Sequence, residues 1–169
     1  WFMNKIKIYI LFIQITFLFS CGIYSFSGAS IPSEAKSVYI ETFPNQAQTI
    51  QPALSQIFTE KLKDIFIGQT NLNLSQEKGD LNFSGKITNY NIQPISIESN
   101  QTASQNRLTI TVYVEFNNTL QKELNFKQKF SRYKDYNSME DISEIEEEII
   151  NEICDNLIED IFNKAVVNW

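Results

Sequence analysis

A strictly alternating stretch in the middle of the chain constrains the fold more than any other feature. Residues 108–116 place an apolar side chain at every second position and a polar or amphipathic one between. This period of two is typical of a β-strand, whose successive side chains point to opposite faces of a sheet. A sheet with one apolar and one polar face is usually antiparallel, because parallel sheets are commonly buried on both sides.

Two other stretches carry apolar residues at the spacing of an amphipathic helix. The first covers residues 50–66, with Pro52 in its first turn and Gly68 as its predicted C-terminal cap. The second covers residues 142–165 and follows a predicted N-cap at Ser138. Each helix has a single apolar stripe, so each must bury one side against another element.

Shorter apolar and β-branched runs predict further strands at residues 37–43, 71–75, 81–87 and 124–130. A polar stretch at residues 93–106 is predicted to be a long loop. The resulting order is β-α-β-β-β-β-α, with short strands that are mostly connected by hairpins. We therefore predict an α+β two-layer sandwich, with two helices on one face of a four- to five-stranded, mostly antiparallel sheet.

Composition excludes several classes of function. The 169 residues contain no histidine, two cysteines and five scattered glycines. These counts exclude histidine-dependent triads and metal sites, a disulfide framework and a glycine-rich phosphate loop. The formal net charge of −6 argues against a nucleic-acid partner. No motif indicates a cofactor, a metal site or a catalytic residue, so we do not expect an enzyme.

The N-terminal segment has the pattern of a secretory signal peptide. Lys5 and Lys7 precede an apolar run at residues 8–19, which is too short for a comfortable transmembrane helix. Trp1 is not a normal initiator, and we expect translation to begin at Met3. These features assign residues 1–20 to a signal peptide.

The signal peptide ends in Leu-Phe-Ser-Cys-Gly, which resembles a bacterial lipobox. That resemblance implies acylation of Cys21 and a lipid-anchored mature protein. Several acyl chains would give a strong anchor, since each buried methylene contributes about 0.8 kcal/mol. We expect residues 21–36 to be a tether and residues 37–169 to form a single domain. Cys154 is expected to be a buried, inert thiol on the last helix.

Basic side chains concentrate on the polar face of the predicted sheet. Alternation places Lys86, Arg107, Lys127 and Lys129 on this face. Hydroxyl-bearing residues are predicted to accompany them, namely Ser84, Thr88, Tyr90, Thr109, Thr111, Tyr113 and Ser131. One interpretation is an ordinary solvated face, and the other is a platform for an anionic amphiphile or for the wall of a partner.

Six segments, spread from Cys21 to Trp169, resemble the LptE family of lipopolysaccharide-assembly lipoproteins in its Bacteroidota form. Each segment alone is weakly specific, so the resemblance depends on the order and spacing of all six segments. The segments are CGIYSFSGASIP, PALSQIFTEKLKD, GDLNFSGKITNY, NRLTITVYVEFNN, FSRYKDY and DIFNKAVVNW.

The resemblance implies two helices on a four-stranded sheet and a place in the outer membrane, on its periplasmic side or within a barrel lumen. It also implies a partner, the LptD-type β-barrel, which this protein would plug, and lipopolysaccharide as the transported molecule. The prediction of Lys86, Arg107, Lys127 and Lys129 as contact residues rests on side-chain alternation and not on a family motif. Two alternatives stay open: an accessory lipoprotein of another envelope transporter, and a lipid-anchored enzyme.

Overall fold

The computed structural model describes Ile31, residues 34–95 and residues 105–166. The predicted signal peptide, Cys21 and most of the predicted tether lie outside these residues. The elements follow the predicted order and are β1 (Ser37–Ile40), α1 (Leu54–Gln69), β2 (Asn73–Leu74), β3 (Leu81–Ile95), β4 (Gln105–Asn118), β5 (Phe126–Asn137) and α2 (Ile142–Val166), with a short 3-10 turn at Lys122–Leu124.

The five strands form one open, mixed sheet in the order β2-β1-β3-β4-β5. β1 runs parallel to β2 and β3, whereas β3, β4 and β5 form an antiparallel meander. The prediction of short strands was wrong for the meander, since β3 has 15 residues and β4 has 14. Both strands extend into the predicted polar loop, because backbone pairing continues as far as Ile95 and Gln105.

Both helices pack on one face of the sheet, which confirms the two-layer α+β prediction. The ring of Phe66 on α1 lies 4.8 Å from that of Phe83 on β3 and 5.1 Å from that of Phe162 on α2. The predicted stripe of α2 is buried from Ile149 to Ala165. Within the described residues, neither helix is long and apolar enough to span a membrane.

The helix ends differ from the prediction because local side chains bind the free backbone groups. α1 begins at Leu54, whose N–H donates to Gln51 Oε1 at 3.2 Å, and Ile50 stays 67% exposed. Gly68 lies inside α1, and Thr70 caps its C-terminus by donating its N–H to the Phe66 carbonyl.

α2 is capped by Asp141 rather than by Ser138. Its Oδ1 accepts the Ser143 N–H at 2.9 Å and the Ser143 hydroxyl at 2.7 Å. These hydrogen bonds lower the pKa of the Asp141 carboxyl. An aspartate one residue before the first helical turn satisfies a backbone donor that has no partner within the helix.

A β-bulge in β3 reverses one side-chain prediction. The register between β3 and β4 shifts between Ile87 and Asn89, so one extra residue, Thr88, enters the strand. An extra residue moves every later side chain to the opposite face. Tyr90 was predicted on the polar face, but it is buried on the helix side and its hydroxyl donates to Glu146 on α2.

Candidate functional site

The candidate site is the side of β3, β4 and β5 that faces away from the helices, called here the outer face. Strand pairing places Lys86, Tyr113 and Lys129 next to one another across the three strands. These three residues are called the lysine row. Both lysines are exposed, and neither forms an ion pair within the described residues. The lysine row therefore presents two ammonium groups that are available to an anion.

The neighbouring lysine is already paired. Lys127 Nζ lies 2.8 Å from Glu115 Oε2, and the Tyr113 hydroxyl donates to Glu115 Oε1 at 3.0 Å. Hydrogen bonds from Lys127 and Tyr113 lower the pKa of Glu115, and the same carboxylate raises the pKa of Lys127. The charge of Lys127 is therefore partly neutralised, although its side chain remains exposed.

Arg107 lies apart from the three lysines. It is six residues from Tyr113 along β4, which is about 20 Å in an extended strand. Its guanidinium binds both carboxylate oxygens of Asp135, at 2.6 and 2.8 Å, and lies 3.6 Å from the centre of the Tyr133 ring. The side-chain hydrogen bond from Arg107 lowers the pKa of Asp135. These contacts link β4 to β5. The positive charge of Arg107 is already paired with Asp135 and is therefore less available to an external anion.

Of the four cations predicted from alternation, the structure brings Lys86, Lys127 and Lys129 together and separates Arg107. Alternation did not indicate that Glu115 and Asp135 would neutralise two of the cations. The partners become visible only with the strand register, because Glu115 pairs with Lys127 and Arg107 with Asp135 across β4 and β5. A matched spacing of opposite charges on two adjacent strands is the signal that would have found them.

Other cations of β5 are neutralised by the helix layer. Arg132 forms a bidentate pair with Asp160, with both distances 2.6 Å, and Lys134 binds Glu152 at 2.6 Å. The acids of α2 thus bind cations beside the helix, and the lysine row is left as unpaired positive charge on the opposite side.

Two further sequence expectations concern reactive groups. Cys154 is fully buried on α2, as predicted, and burial raises the pKa of its thiol to about 12. A thiol with this pKa is not a nucleophile at neutral pH. Within residues 34–95 and 105–166, no cluster of cysteine, aspartate and glutamate side chains has an arrangement that would hold a metal ion.

Comparison with known proteins identifies the family. The family model described as "LptE: Lipopolysaccharide-assembly" matches residues 35–165, which span nearly all of the described domain. No curated protein matches the chain in sequence.

Two of the solved structures that match the chain are lipoproteins. A minor lipoprotein from Acinetobacter baumannii is 13% identical with a TM-score of 0.52, and the match covers 77% of this chain and 91% of that one. An uncharacterized lipoprotein B from Nitrosomonas europaea is 12% identical with a TM-score of 0.46, over 76% of this chain and 80% of that one. The first of these likenesses supports the fold. The match of the family model across β1 to α2 shows that the chain belongs to the LptE family of lipopolysaccharide-assembly proteins.

Proposed function

We propose that this protein is a lipid-anchored partner and plug of an LptD-type β-barrel in the outer membrane, on its periplasmic side or within the lumen. The observation that carries the proposal is the LptE family match over residues 35–165. The lipobox-like Cys21 supports the anchor, with residues 1–20 as the signal peptide and 21–36 as the tether. The partner is inferred from the family and the anchor from the sequence.

The surface of the domain is suited to the lumen of a barrel. Outer-membrane barrels with aqueous channels have polar interiors. The outer sheet face carries lysines, hydroxyls and amides, and the outward side of α2 carries carboxylates such as Glu147 and Glu148. A plug of this kind needs no apolar exterior, and most apolar residues of both helices lie in the core, although Ile67 of α1 is exposed.

Co-purification from outer membranes tests the partnership. The full-length protein, extracted in detergent with a C-terminal affinity tag, is expected to retain a large β-barrel, identified by mass spectrometry. A Cys21→Ser variant serves as the matched control for membrane delivery. Recovery of an inner-membrane ATPase complex in place of a barrel would favour the alternative of an accessory subunit of another transporter.

The lysine row is the proposed contact for the phosphates of lipopolysaccharide. Lys86 and Lys129 are exposed and unpaired within the described residues, and they flank Tyr113. Charge-assisted hydrogen bonds from ammonium groups to phosphate are among the stronger polar contacts. Lys127 contributes less in this proposal because Glu115 already binds it, and Arg107 is held by Asp135.

Charge reversal tests the contact. The double variant Lys86→Glu and Lys129→Glu is expected to fold, to retain the barrel and to bind lipopolysaccharide at least about tenfold more weakly at low salt. The control variant Lys122→Glu and Lys164→Glu carries the same change in net charge at exposed positions elsewhere. Equal binding by the two double variants would contradict a specific role for the lysine row.

A further inference from the structure

A groove of about 560 Å³ opens on the outer face, at the end of the sheet where β4 turns into β5. Its volume is within the range of sites that hold small molecules. This terminal groove, as it is called here, is lined by side chains that include Tyr39, Glu41, Lys78, Ser84, Glu115 and Asn117.

Strand register explains why these side chains converge. Tyr39 on β1 pairs with Asn82 on β3, which pairs with Asn117 on β4. The next outward row along the meander is Ser84, Glu115 and Lys127. Two adjacent rows of polar side chains therefore form the walls. The flanking Phe83 and Phe116 are buried on the helix side, so their backbone lies beneath the groove.

Several polar groups in the terminal groove are unused by the fold. The Tyr39 and Ser84 hydroxyls, the Glu41 carboxylate and the Asn117 amide nitrogen form no side-chain hydrogen bond with the part of the chain that the structure describes. By contrast, Asn82 is held in place, since its amide donates to the Gly79 carbonyl at 2.8 Å and accepts the Gly79 N–H at 2.9 Å. The groove thus combines a fixed wall with free donors and acceptors.

The charges of the terminal groove balance. Lys78 and Lys127 contribute two positive charges, and Glu41 and Glu115 contribute two negative charges. Lys127 and Glu115 already bind each other at 2.8 Å. An anion would gain no net attraction here, whereas a neutral ligand rich in hydroxyl groups would meet carboxylate, amide and hydroxyl partners. The half-buried ring of Tyr39 adds a flat surface whose negative π face attracts C–H groups.

We propose that the terminal groove binds a neutral saccharide unit, with Tyr39 against the face of the ring and Glu41, Ser84 and Asn117 hydrogen-bonded to its hydroxyls. The lysine row lies two residues further along β3 and β4, which is about 7 Å. Phosphate at the lysine row and sugar in the groove would then be recognised side by side. This proposal rests on the proposed function, because it takes the saccharide to be part of a phosphorylated glycolipid.

The test uses the full-length protein in a detergent without a sugar headgroup. The probe is a neutral oligosaccharide of hexose units, without phosphate or carboxylate groups, and binding is measured by titration calorimetry. Tyr39→Ala and Glu41→Gln are each expected to raise the Kd about tenfold. Thr109→Ala, on the outer face away from the groove, is the matched control and is expected to bind as the unmodified protein does.

The outcomes separate this proposal from the function proposed above. Absence of oligosaccharide binding, or equal Kd values for Tyr39→Ala, Glu41→Gln and Thr109→Ala, would overturn the saccharide site even if a barrel co-purifies. Competition by millimolar inorganic phosphate would also overturn it, because the groove would then be an anion site. Oligosaccharide binding that depends on Tyr39 and Glu41, in a protein that retains no barrel, would support the groove and refute the plug.

Discussion

At the scale of single residues, the hydroxyl of Tyr90 links the sheet to α2 through Glu146. Burial and the hydrogen bond to Glu146 raise the pKa of Tyr90, so the hydroxyl remains a donor at physiological pH. Tyr90→Phe is expected to lower the free energy of unfolding by about 1–2 kcal/mol, since a hydrogen bond to a charged group is lost. Urea denaturation measures the change.

Tyr136→Phe is the matched control for this variant. Tyr136 is also buried, and its hydroxyl forms no hydrogen bond within the described residues. The control should therefore change stability little. If both variants lose the same free energy, the Tyr90–Glu146 hydrogen bond contributes nothing specific.

Asp80 is a second residue with a testable role. Its Oδ2 accepts the backbone N–H groups of Lys36 and Ser37, at 2.8 and 3.0 Å, and the Ser37 hydroxyl at 2.9 Å. The hydrogen bond from the Lys36 backbone and that from the Ser37 side chain lower its pKa. Asp80→Asn is expected to lower the free energy of unfolding at pH 7 by about 1 kcal/mol.

The pH dependence of that difference follows from the lowered pKa. Because the folded-state pKa of Asp80 lies below the unfolded value, its stabilising effect is present above the unfolded pKa. The effect is lost as pH falls through the folded-state pKa. The stability difference between Asp80→Asn and the unmodified protein should therefore shrink on acidification from pH 7 to about pH 3. A difference that grows on acidification would contradict this role.

At the scale of elements, α2 is part of the core along its length. Ile153 is 1% exposed and lies within the apolar stripe that faces the sheet. Ile153→Asp is expected to cost on the order of 4 kcal/mol, because it places an unpaired carboxylate in an apolar environment. The milder Ile153→Val should cost about 1 kcal/mol and keep the protein folded. Thermal unfolding measures both changes.

Asn156→Asp is the control for added charge on the same helix. Asn156 is exposed and one turn further along α2. It should lower the melting temperature far less than Ile153→Asp does, because the new carboxylate stays in water and only the hydrogen bond from Asn156 to the Glu152 carbonyl is lost. A melting temperature for Ile153→Asp close to that of Asn156→Asp would show that the stripe is not packed.

At the scale of the whole molecule, the proposed anchor and the domain are physically separate. The buried core of the domain lies within residues 38–166, and Cys21 precedes it in the chain. Cys21→Ser is therefore expected to leave the unfolding transition of the domain unchanged. It should move the protein from the membrane fraction to the soluble fraction. Unchanged membrane partitioning of the variant would contradict the lipid anchor.

The two-layer arrangement of this protein could be predicted from local sequence patterns. Alternation at residues 108–116 and the helical stripe at residues 142–165 are local patterns, and each requires one buried side whatever surrounds it. The order of elements, the placement of both helices on one face and the burial of Cys154 followed from these patterns. Burial of apolar surface is the dominant favourable term in folding, so an element with one apolar side buries that side.

The details of the candidate site, in contrast, depend on how the strands pair with one another. The bulge at Thr88 turned Tyr90 towards the helices, and strand register decided that Glu115 neutralises Lys127 and that Asp135 holds Arg107. These outcomes depend on backbone pairing between residues far apart in the chain. The alternation of apolar and polar side chains along one strand does not show which residue lies opposite on the neighbouring strand, because turns, bulges and packing together set the register.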